Sequence, residues 1–168
     1  MSTSIGKRSF EAIGRYMLRE FSATYNFLSM SCTLRDMGLN NCADWCLQKS
    51  EESRLRAMEI YSYLVGRGLK FKMAAVPVSR QDWRAPLHVF EEINRQALEI
   101  SGLITIIYEA SIADKDYATQ QFVATLFDKH QRSEQEAGAL LNKLRIMQTS
   151  EIGVFQFDSE MRERLISD

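Results

Sequence analysis

The chain has 168 residues, 45% of them hydrophobic, which is enough to bury the core of one domain and too little for two domains of ordinary size. We therefore predict a single domain over residues 1–168. The formal net charge of -1 provides no global basic field, and no apolar run approaches the roughly 20 residues that a membrane span needs. Neither a nucleic acid nor a membrane is expected as a partner.

The three cysteines, Cys32, Cys42 and Cys46, are an odd number, and the chain opens without the apolar stretch of a secretory signal. Both features predict a reducing, cytoplasmic location. Cys42 and Cys46 lie one helical turn apart, as metal ligands do, but no histidine or further cysteine follows at zinc-site spacing. Packing in the core is the favoured interpretation of these thiols.

Helical periodicity marks four long segments, in chain order residues 6–34, 40–66, 84–113 and 116–147. Short links join the first to the second and the third to the fourth, so each pair is predicted to form an antiparallel hairpin.

The connection between the two hairpins, residues 68–83, is long enough to run the length of a bundle. Short, long, short connectivity is typical of an all-α four-helix bundle with one crossover. Beyond the fourth helix, residues 150–158 are predicted to interrupt the helical structure, and residues 159–166 are predicted to form a short fifth helix.

Polar residues interrupt the apolar stripes of these helices near their centres. Antiparallel packing brings helix centres to one level, so the interruptions are predicted to form one layer inside the bundle. The first helix contributes Glu20, and the third has an unbroken stripe with the small Ala97 at this level. The other members of the layer come from the second and fourth helices: Ser53, Arg56, His130 and Ser133.

A di-iron site in such a bundle needs a Glu from each of two helices and a Glu-x-x-His pair from each of the others. The layer offers a single carboxylate, Glu20, and the chain contains no Glu-x-x-His. Arg56 is permanently charged and would repel a dication, whereas it would satisfy a buried Glu20 as an ion pair. For Glu20 a structural pair and residual metal binding both remain open. His130 is likewise either a hydrogen-bonded core residue or a ligand.

The chain resembles the bacterial non-haem ferritins from about residue 10 to residue 165. Residues 19–21 (REF) fall where that family has its first iron glutamate, and residues 61–64 (YSYL) with Gly68 resemble the end of its second helix. Residues 114–117 (DKDY) with Phe122 resemble the turn into its fourth helix. Residues 153–158 (GVFQFD) resemble the lead into its short fifth helix. The resemblance implies a ferritin-like bundle.

The resemblance also implies that the family's ferroxidase centre survives only at Glu20. The vacated di-iron positions are Ser53 and Arg56 on the second helix, Ala97 on the third and Ser133 on the fourth. His130 stands at the other fourth-helix position, and with Glu20 and Glu52 it is a vestigial metal candidate. The family's further inner-face iron site keeps Glu52, but basic residues stand at its other positions, and Phe27 replaces the usual tyrosine. The basic residues at the inner-face site are Lys129 and Arg132. No haem is expected, because Arg54 stands at the position of the haem methionine in bacterioferritins.

We therefore expect a non-catalytic cage subunit for iron storage, with iron present as stored mineral. By family resemblance the shell is a homo-oligomer of 24 subunits, or a mixed shell with a ferroxidase-active ferritin chain. Mineral would nucleate on inner-face acids such as Glu51, Glu52 and Glu59, which are as readily explained as a solvated helix face.

Two alternatives remain open at this stage. In the first, Glu20, His130 and Glu52 together hold one metal ion and support slow mono-metal oxidation of iron. In the second, the chain is a ferritin-fold scaffold or stress protein that no longer handles iron. Stoichiometric metal binding would distinguish the first, and an assembly that cannot load mineral would distinguish the second.

Overall fold

Five helices account for nearly all of the computed structural model, which describes residues 5–78 and 81–166, and no strand occurs within those residues. The predicted all-α fold of four long helices, one crossover and a fifth helix is confirmed. The helices are α1 (Lys7–Asp36), α2 (Asn40–Gly66), α3 (Pro86–Ala113), α4 (Tyr117–Met147) and α5 (Glu151–Ile166).

Contacts between helix ends establish the directions of the bundle. At the start of α1, both the amide and the hydroxyl of Ser9 donate to Asp114, just beyond the end of α3. Further along, Asn26 of α1 donates to Gln96 in the first half of α3, at 2.9 Å. α1 is therefore antiparallel to α3. It is also antiparallel to α2, because Ser31 donates to Ala43 and Ser50 donates to Thr24. α2 and α3 thus run in the same direction. Up-down-up-down connectivity is excluded.

Left-handed backbone residues end three of the long helices. Gly38 follows α1 with φ 80°, Gly68 follows α2 with φ 72°, and Lys115 occupies the same conformation after α3 with φ 55°. In each case the next amide bonds back to a carbonyl in the last turn, for example Asp116 N to Ser111 O at 2.8 Å. Glycine takes this conformation freely, whereas Lys115 adopts it at a steric cost.

The crossover spans residues 67–85, and its described residues contain no helix or strand. Residues 79 and 80, within the predicted connection 68–83, lie outside the described part of the chain. The hydroxyl of Ser22 on α1 donates to the carbonyl of Pro77 at 2.5 Å and fastens the crossover to the bundle. The same hydroxyl accepts from Arg19, whose guanidinium also forms a two-pronged pair with Glu99 of α3.

The fifth helix is longer than the sequence predicts. It begins at Glu151 rather than at residue 159, so the predicted break over residues 150–158 is wrong. Ser150 Oγ accepts from the amide of Gly153 at 3.0 Å and starts the helix locally. Tertiary packing stabilises the remainder of the helix, because Phe157 is 1% exposed and its ring contacts Phe90 edge-on, with 5.1 Å between the centroids.

Asp158 of α5 docks on the first turn of α2. Its carboxylate accepts from the amide of Cys42 at 2.8 Å and from the side chain of Asn41 at 2.9 Å. α2 has no side-chain cap of its own at Leu39, so α5 supplies the missing acceptor.

Cys42 and Cys46 are free thiols with 0% exposure. Burial raises the pKa of both, so they stay protonated, as the packing interpretation requires. Among the described residues, no helix is both long enough and apolar enough to cross a membrane.

Candidate metal centre between the helices

An ion pair stands at the position of the predicted polar layer. Glu20 of α1 has 0% side-chain exposure, and its Oε1 accepts from Nε of Arg56 at 3.0 Å. Arg56 also donates through Nη2 to the hydroxyl of Ser53 at 3.1 Å. The predicted contact between Arg56 and Glu20 is therefore present and direct. Three of the six layer residues form one hydrogen-bonded chain.

His130 of α4 is hydrogen-bonded to Tyr16 of α1, with the Tyr16 hydroxyl 2.5 Å from His130 Nε2. Burial, and then the charge of Arg56, lower the pKa of His130 to about 3, so the ring is neutral at pH 7. Burial, and then the charge of Glu20, raise the pKa of Tyr16. Tyr16 thus keeps its proton, and its hydroxyl engages Nε2 of the neutral ring in a hydrogen bond.

The charge state of Glu20 is set by two opposed influences. Burial raises the pKa of its carboxyl, and Arg56 opposes that shift. For Arg56, burial alone would lower the pKa, but the charge of Glu20 raises it overall. Oε2 of Glu20 is buried and has no hydrogen-bond partner among the described residues. The arrangement satisfies one carboxylate oxygen with one guanidinium and leaves the second oxygen unused.

A small cavity of about 40 Å³ lies beside this pair, with room for a water molecule but not for two hydrated metal ions. Ala97 is half-buried at its wall, and the hydroxyl of Ser133 donates back to the carbonyl of Lys129 at 3.1 Å. Five of the six predicted layer residues border the cavity, namely Ser53, Arg56, Ala97, His130 and Ser133. The sixth, Glu20, is joined to them through Arg56.

Glu52, the third residue predicted to hold metal, also borders the cavity and is engaged by cations. Lys49 Nζ lies 3.1 Å from its Oε2, and Arg56 Nη1 lies 3.9 Å from the same oxygen. Lys49 reaches Glu136 of α4 as well, at 3.3 Å. Among the described residues, no three His, Cys, Asp or Glu side chains are grouped as a metal site requires. Metal binding by Glu20, His130 and Glu52 stays a prediction.

Several residues of this region were missed by the sequence patterns. Tyr16 lies four residues before Glu20, so helical spacing alone could have placed both on one face. Gln96 is 2% exposed although the sequence predicts an apolar stripe along α3, and its hydrogen bond with Asn26 explains its burial. Lys49 and Glu136 carry no sequence signal for their pairing, because they meet across two helices that are distant in the chain.

These donors do not fit two iron ions. A di-iron pair needs several carboxylates that bridge and neutralise it, and the layer offers one, already bonded to a guanidinium. The imidazole nitrogen that points toward Glu20, at 3.5 Å, is the one that is hydrogen-bonded to Tyr16. What the arrangement does chemically is hold a buried charge pair and a neutral histidine between four helices.

Comparison with known proteins identifies the fold. The family model described as a ferritin-like domain matches residues 10–147. A bacterial non-heme ferritin of Bacteroides fragilis (strain 638R) is 26% identical over 160 residues, which cover 95% of this chain and 99% of that protein. A bacterial non-heme ferritin of Staphylococcus aureus (strain USA300) is 23% identical over 164 residues, with coverage of 98% and 99%.

Among solved structures, an open pore ferritin from the hyperthermophilic archaeon Archaeoglobus fulgidus superposes with a TM-score of 0.91. It is 25% identical, and the match covers 96% of this chain and 98% of that one. The predicted ferritin-like bundle is thereby confirmed, and the match extends along nearly the whole chain. This chain belongs to the ferritin family.

Proposed function

We propose that this chain is a non-catalytic ferritin subunit, which helps to build the shell around stored iron mineral and leaves the oxidation of iron to another chain. The observation that carries the proposal is the ion pair between Arg56 and Glu20 at 3.0 Å. It occupies the position where the resemblance places the di-iron centre. Membership of a family of iron-storing proteins supports the storage role.

Charge arithmetic supports the loss of oxidation chemistry. Two ferrous ions would bring four positive charges into a layer that already holds the guanidinium of Arg56. Glu20 is the one carboxylate of the layer that could offset them, and it is fully buried. Uncompensated charge in a buried site is strongly unfavourable, so a di-iron pair should not form here.

Exposed apolar side chains along α2 support assembly into a closed shell. Large hydrophobic residues rarely line one exposed face of a soluble monomer, and symmetric assembly reuses such a face on every copy. We propose a shell of 24 copies in the cytoplasm, formed by this chain alone or with a ferroxidase-active ferritin. The exposed residues on α2 are Leu47, Leu55, Met58, Tyr61 and Val65.

No haem is included in the proposal. Arg54, at the position of the haem methionine, forms a two-pronged pair with Glu51, at 2.7 and 2.8 Å.

The acids proposed to nucleate mineral are paired with cations, as Glu51 is with Arg54. Glu59 lies 3.6 Å from Lys129, and both side chains are exposed. Such exposed pairs are weak, so incoming iron would displace the cations during nucleation.

One observation favours the single-metal alternative. Oε2 of Glu20 is buried with no partner among the described residues, and a metal ion would supply one. Tyr16 and Lys49 stand against this reading, because they engage the other two ligands, His130 and Glu52. Titration with Mn²⁺ decides between them: saturable binding of one ion per chain that is lost in Glu20→Gln would establish the single-metal site.

The proposal is tested by giving the purified, assembled protein ferrous iron in air and following oxidation and the mass of the assembly. We expect a large closed oligomer that oxidises iron no faster than buffer. When a catalytic ferritin chain is co-assembled with it, ferric mineral should accumulate inside. Rapid, saturable oxidation at two irons per chain would refute the non-catalytic role. An assembly that stays empty under all these conditions would instead establish a scaffold that no longer handles iron.

A further inference from the structure

A surface hollow of about 440 Å³ lies where α2, α4 and α5 meet. Each of these helices contributes one cation to its lining, namely Lys49, Arg132 and Arg164. Two acids, Glu52 and Glu136, also border the hollow. Three cations against two carboxylates leave one positive charge in excess.

Arg132 is the cation of this hollow that no carboxylate holds. It is exposed, and it forms no ion pair or hydrogen bond with any residue that the structure describes. The exposed arginines Arg54 and Arg95 are by contrast each bound to a glutamate of their own helix, at 2.7 and 2.6 Å. An unpaired guanidinium at the wall of a hollow suits an oxyanion, which it can bind through two parallel hydrogen bonds.

Lys49 and Arg164 are held in place by the two acids and keep donors for a ligand. Nζ of Lys49 lies 3.1 Å from Glu52 and 3.3 Å from Glu136, so it is fixed between α2 and α4. Nη1 of Arg164 lies 3.0 Å from the other oxygen of Glu136. This contact uses one donor of a guanidinium that has several, so Arg164 can bind a ligand at the same time.

The interior next to the hollow does not offset its excess positive charge. The hollow adjoins the small cavity that Arg56 borders, and the charge of Arg56 is balanced there by Glu20. Glu52 and Glu136 are already engaged by cations, and the described residues contain no group of three His, Cys, Asp or Glu side chains suited to a metal ion. The hollow therefore favours an anion over a metal cation.

The hollow lies away from the face of α2 that we propose as a contact between subunits. Helical spacing places Lys49 and Glu52 on one side of the buried stripe of α2, and the exposed apolar residues Met58 and Val65 on the other. The charged side faces α4, to which Lys49 is paired through Glu136. A shell built through the apolar side leaves the hollow open to solvent.

We infer that this hollow binds a phosphate group, held by the guanidinium groups of Arg132 and Arg164 and by the ammonium of Lys49. A phosphate group carries more than one negative charge at pH 7 and presents several acceptor oxygens, which matches three cations around one hollow. The inference goes beyond the storage role and does not depend on whether the chain oxidises iron. It depends on the proposed assembly only in that the apolar side of α2 must be the contact face.

The test is calorimetric titration of the assembled, iron-free protein with inorganic phosphate, at low ionic strength in a buffer without phosphate. Iron must be absent because ferric mineral itself binds phosphate. We expect saturable binding of one phosphate per chain, and competition by sulfate, which has the same shape. Glycerol 2-phosphate distinguishes the source of the group. If it binds more tightly than phosphate, the inference is supported with a small phosphomonoester as the ligand, and if it binds more weakly, with free phosphate.

Arg132→Gln should weaken phosphate binding at least about tenfold, because it removes charge-assisted hydrogen bonds. Arg162→Gln is the matched control: Arg162 is also exposed and forms no ion pair within the described residues, but it does not border the hollow. Glu136→Gln should strengthen binding at least about threefold, because it releases Lys49 and Arg164 from a competing carboxylate.

Three results would overturn the inference. The first is the absence of saturable phosphate binding. The second is an equal effect of Arg132→Gln and Arg162→Gln, because phosphate would then respond to surface charge alone. The third is a lower native mass of the Arg132→Gln protein, which would make the hollow a contact between copies of the chain. None of these results bears on the non-catalytic role, which the oxidation assay tests separately.

Discussion

Arg56 and Glu20 form the charged centre of the bundle, with Nε of the guanidinium 3.0 Å from Oε1 of a carboxylate that solvent does not reach. Breaking a buried pair leaves the remaining charge without compensation. We therefore expect Arg56→Met to lower the free energy of unfolding by about 3–5 kcal/mol at pH 7. Guanidinium unfolding at a fixed protein concentration measures the change.

The matched control for this experiment is the double variant Glu20→Leu, Arg56→Met, which removes both charges at once. It should recover most of the lost stability, because two apolar side chains of similar volume need no charge compensation. If Arg56→Met alone costs no more stability than the double variant, the pair is not a significant electrostatic contact.

His130 should make stability depend on pH below neutrality. Its pKa is near 6.5 in the unfolded chain and about 3 in the folded protein, so between these values the unfolded state binds the extra proton. Its contribution is therefore complete above pH 6.5 and is lost as pH falls toward 3. The slope approaches about 1.4 kcal/mol per pH unit for one proton.

The variant His130→Gln removes this titration and serves as the reference. Burial raises the pKa of Glu20 and so gives a pH dependence of the opposite sign, but Glu20 is present in both proteins. The difference between their unfolding free energies, measured from pH 4.5 to pH 7, should shrink as the pH falls. A constant difference over that range would mean that the pKa of His130 is the same in the folded protein as in the unfolded chain.

The lengths and links of the four long helices follow from local chemistry, which explains why the sequence predicts them well. Asp116 illustrates this: its carboxylate accepts from the amide and hydroxyl of Thr119, which is the expected behaviour of an N-cap residue. Glycines at positions 38 and 68 likewise mark helix ends wherever the backbone must become left-handed.

The start of α5 was misplaced because its stability is not local. Residues 155–158 alternate apolar and polar side chains, and Gly153 lies shortly before them, so the sequence pattern resembles a break. In the folded chain, Phe157 and Asp158 are held by residues more than sixty positions away, Phe90 and Cys42. Tertiary contacts of this kind override local preference, and no window of the sequence contains them.

For the candidate site, helical periodicity predicted which residues share a level, and the contact of Arg56 with Glu20 confirms the register of α1 against α2. Helical periodicity does not predict which side chains pair between helices that are distant in the chain. Tyr16 and His130 are an example, because 114 positions separate them and the periodicity of each helix is independent of the other.

Docking of α5 should depend on Asp158. In Asp158→Ala the buried amide of Cys42 loses its acceptor, which we expect to cost about 1–3 kcal/mol and to expose the amides of α5. Hydrogen exchange of residues 151–166 measures this directly. Glu160→Ala is the control on the same helix, because Glu160 forms an exposed pair with Lys143 and its loss should change little. Equal exchange in the two variants would show that Asp158 does not hold α5.

The most demanding prediction is that a di-iron centre can be built at these positions. The variant Ser53→Glu, Arg56→His, Ala97→Glu, Ser133→Glu supplies three carboxylates and one imidazole in place of the guanidinium, alongside Glu20. Four of these five positions already border one cavity, and replacing Arg56 both enlarges it and removes the repelling charge. We expect ferrous iron to be oxidised in air with saturation at two irons per chain.

A matched variant separates charge from size in that experiment. It carries Gln in place of the three introduced Glu and keeps Arg56→His, so the cavity is filled to the same extent without the added carboxylates. We expect this protein to oxidise iron no faster than buffer, because Glu20 alone cannot neutralise two ferrous ions. Native mass and unfolding confirm that both variants fold and assemble. A folded, assembled carboxylate variant that remains inactive would mean that Ser53, Ala97 and Ser133 do not converge on one centre, and the mapping of the family's site onto this chain would be wrong.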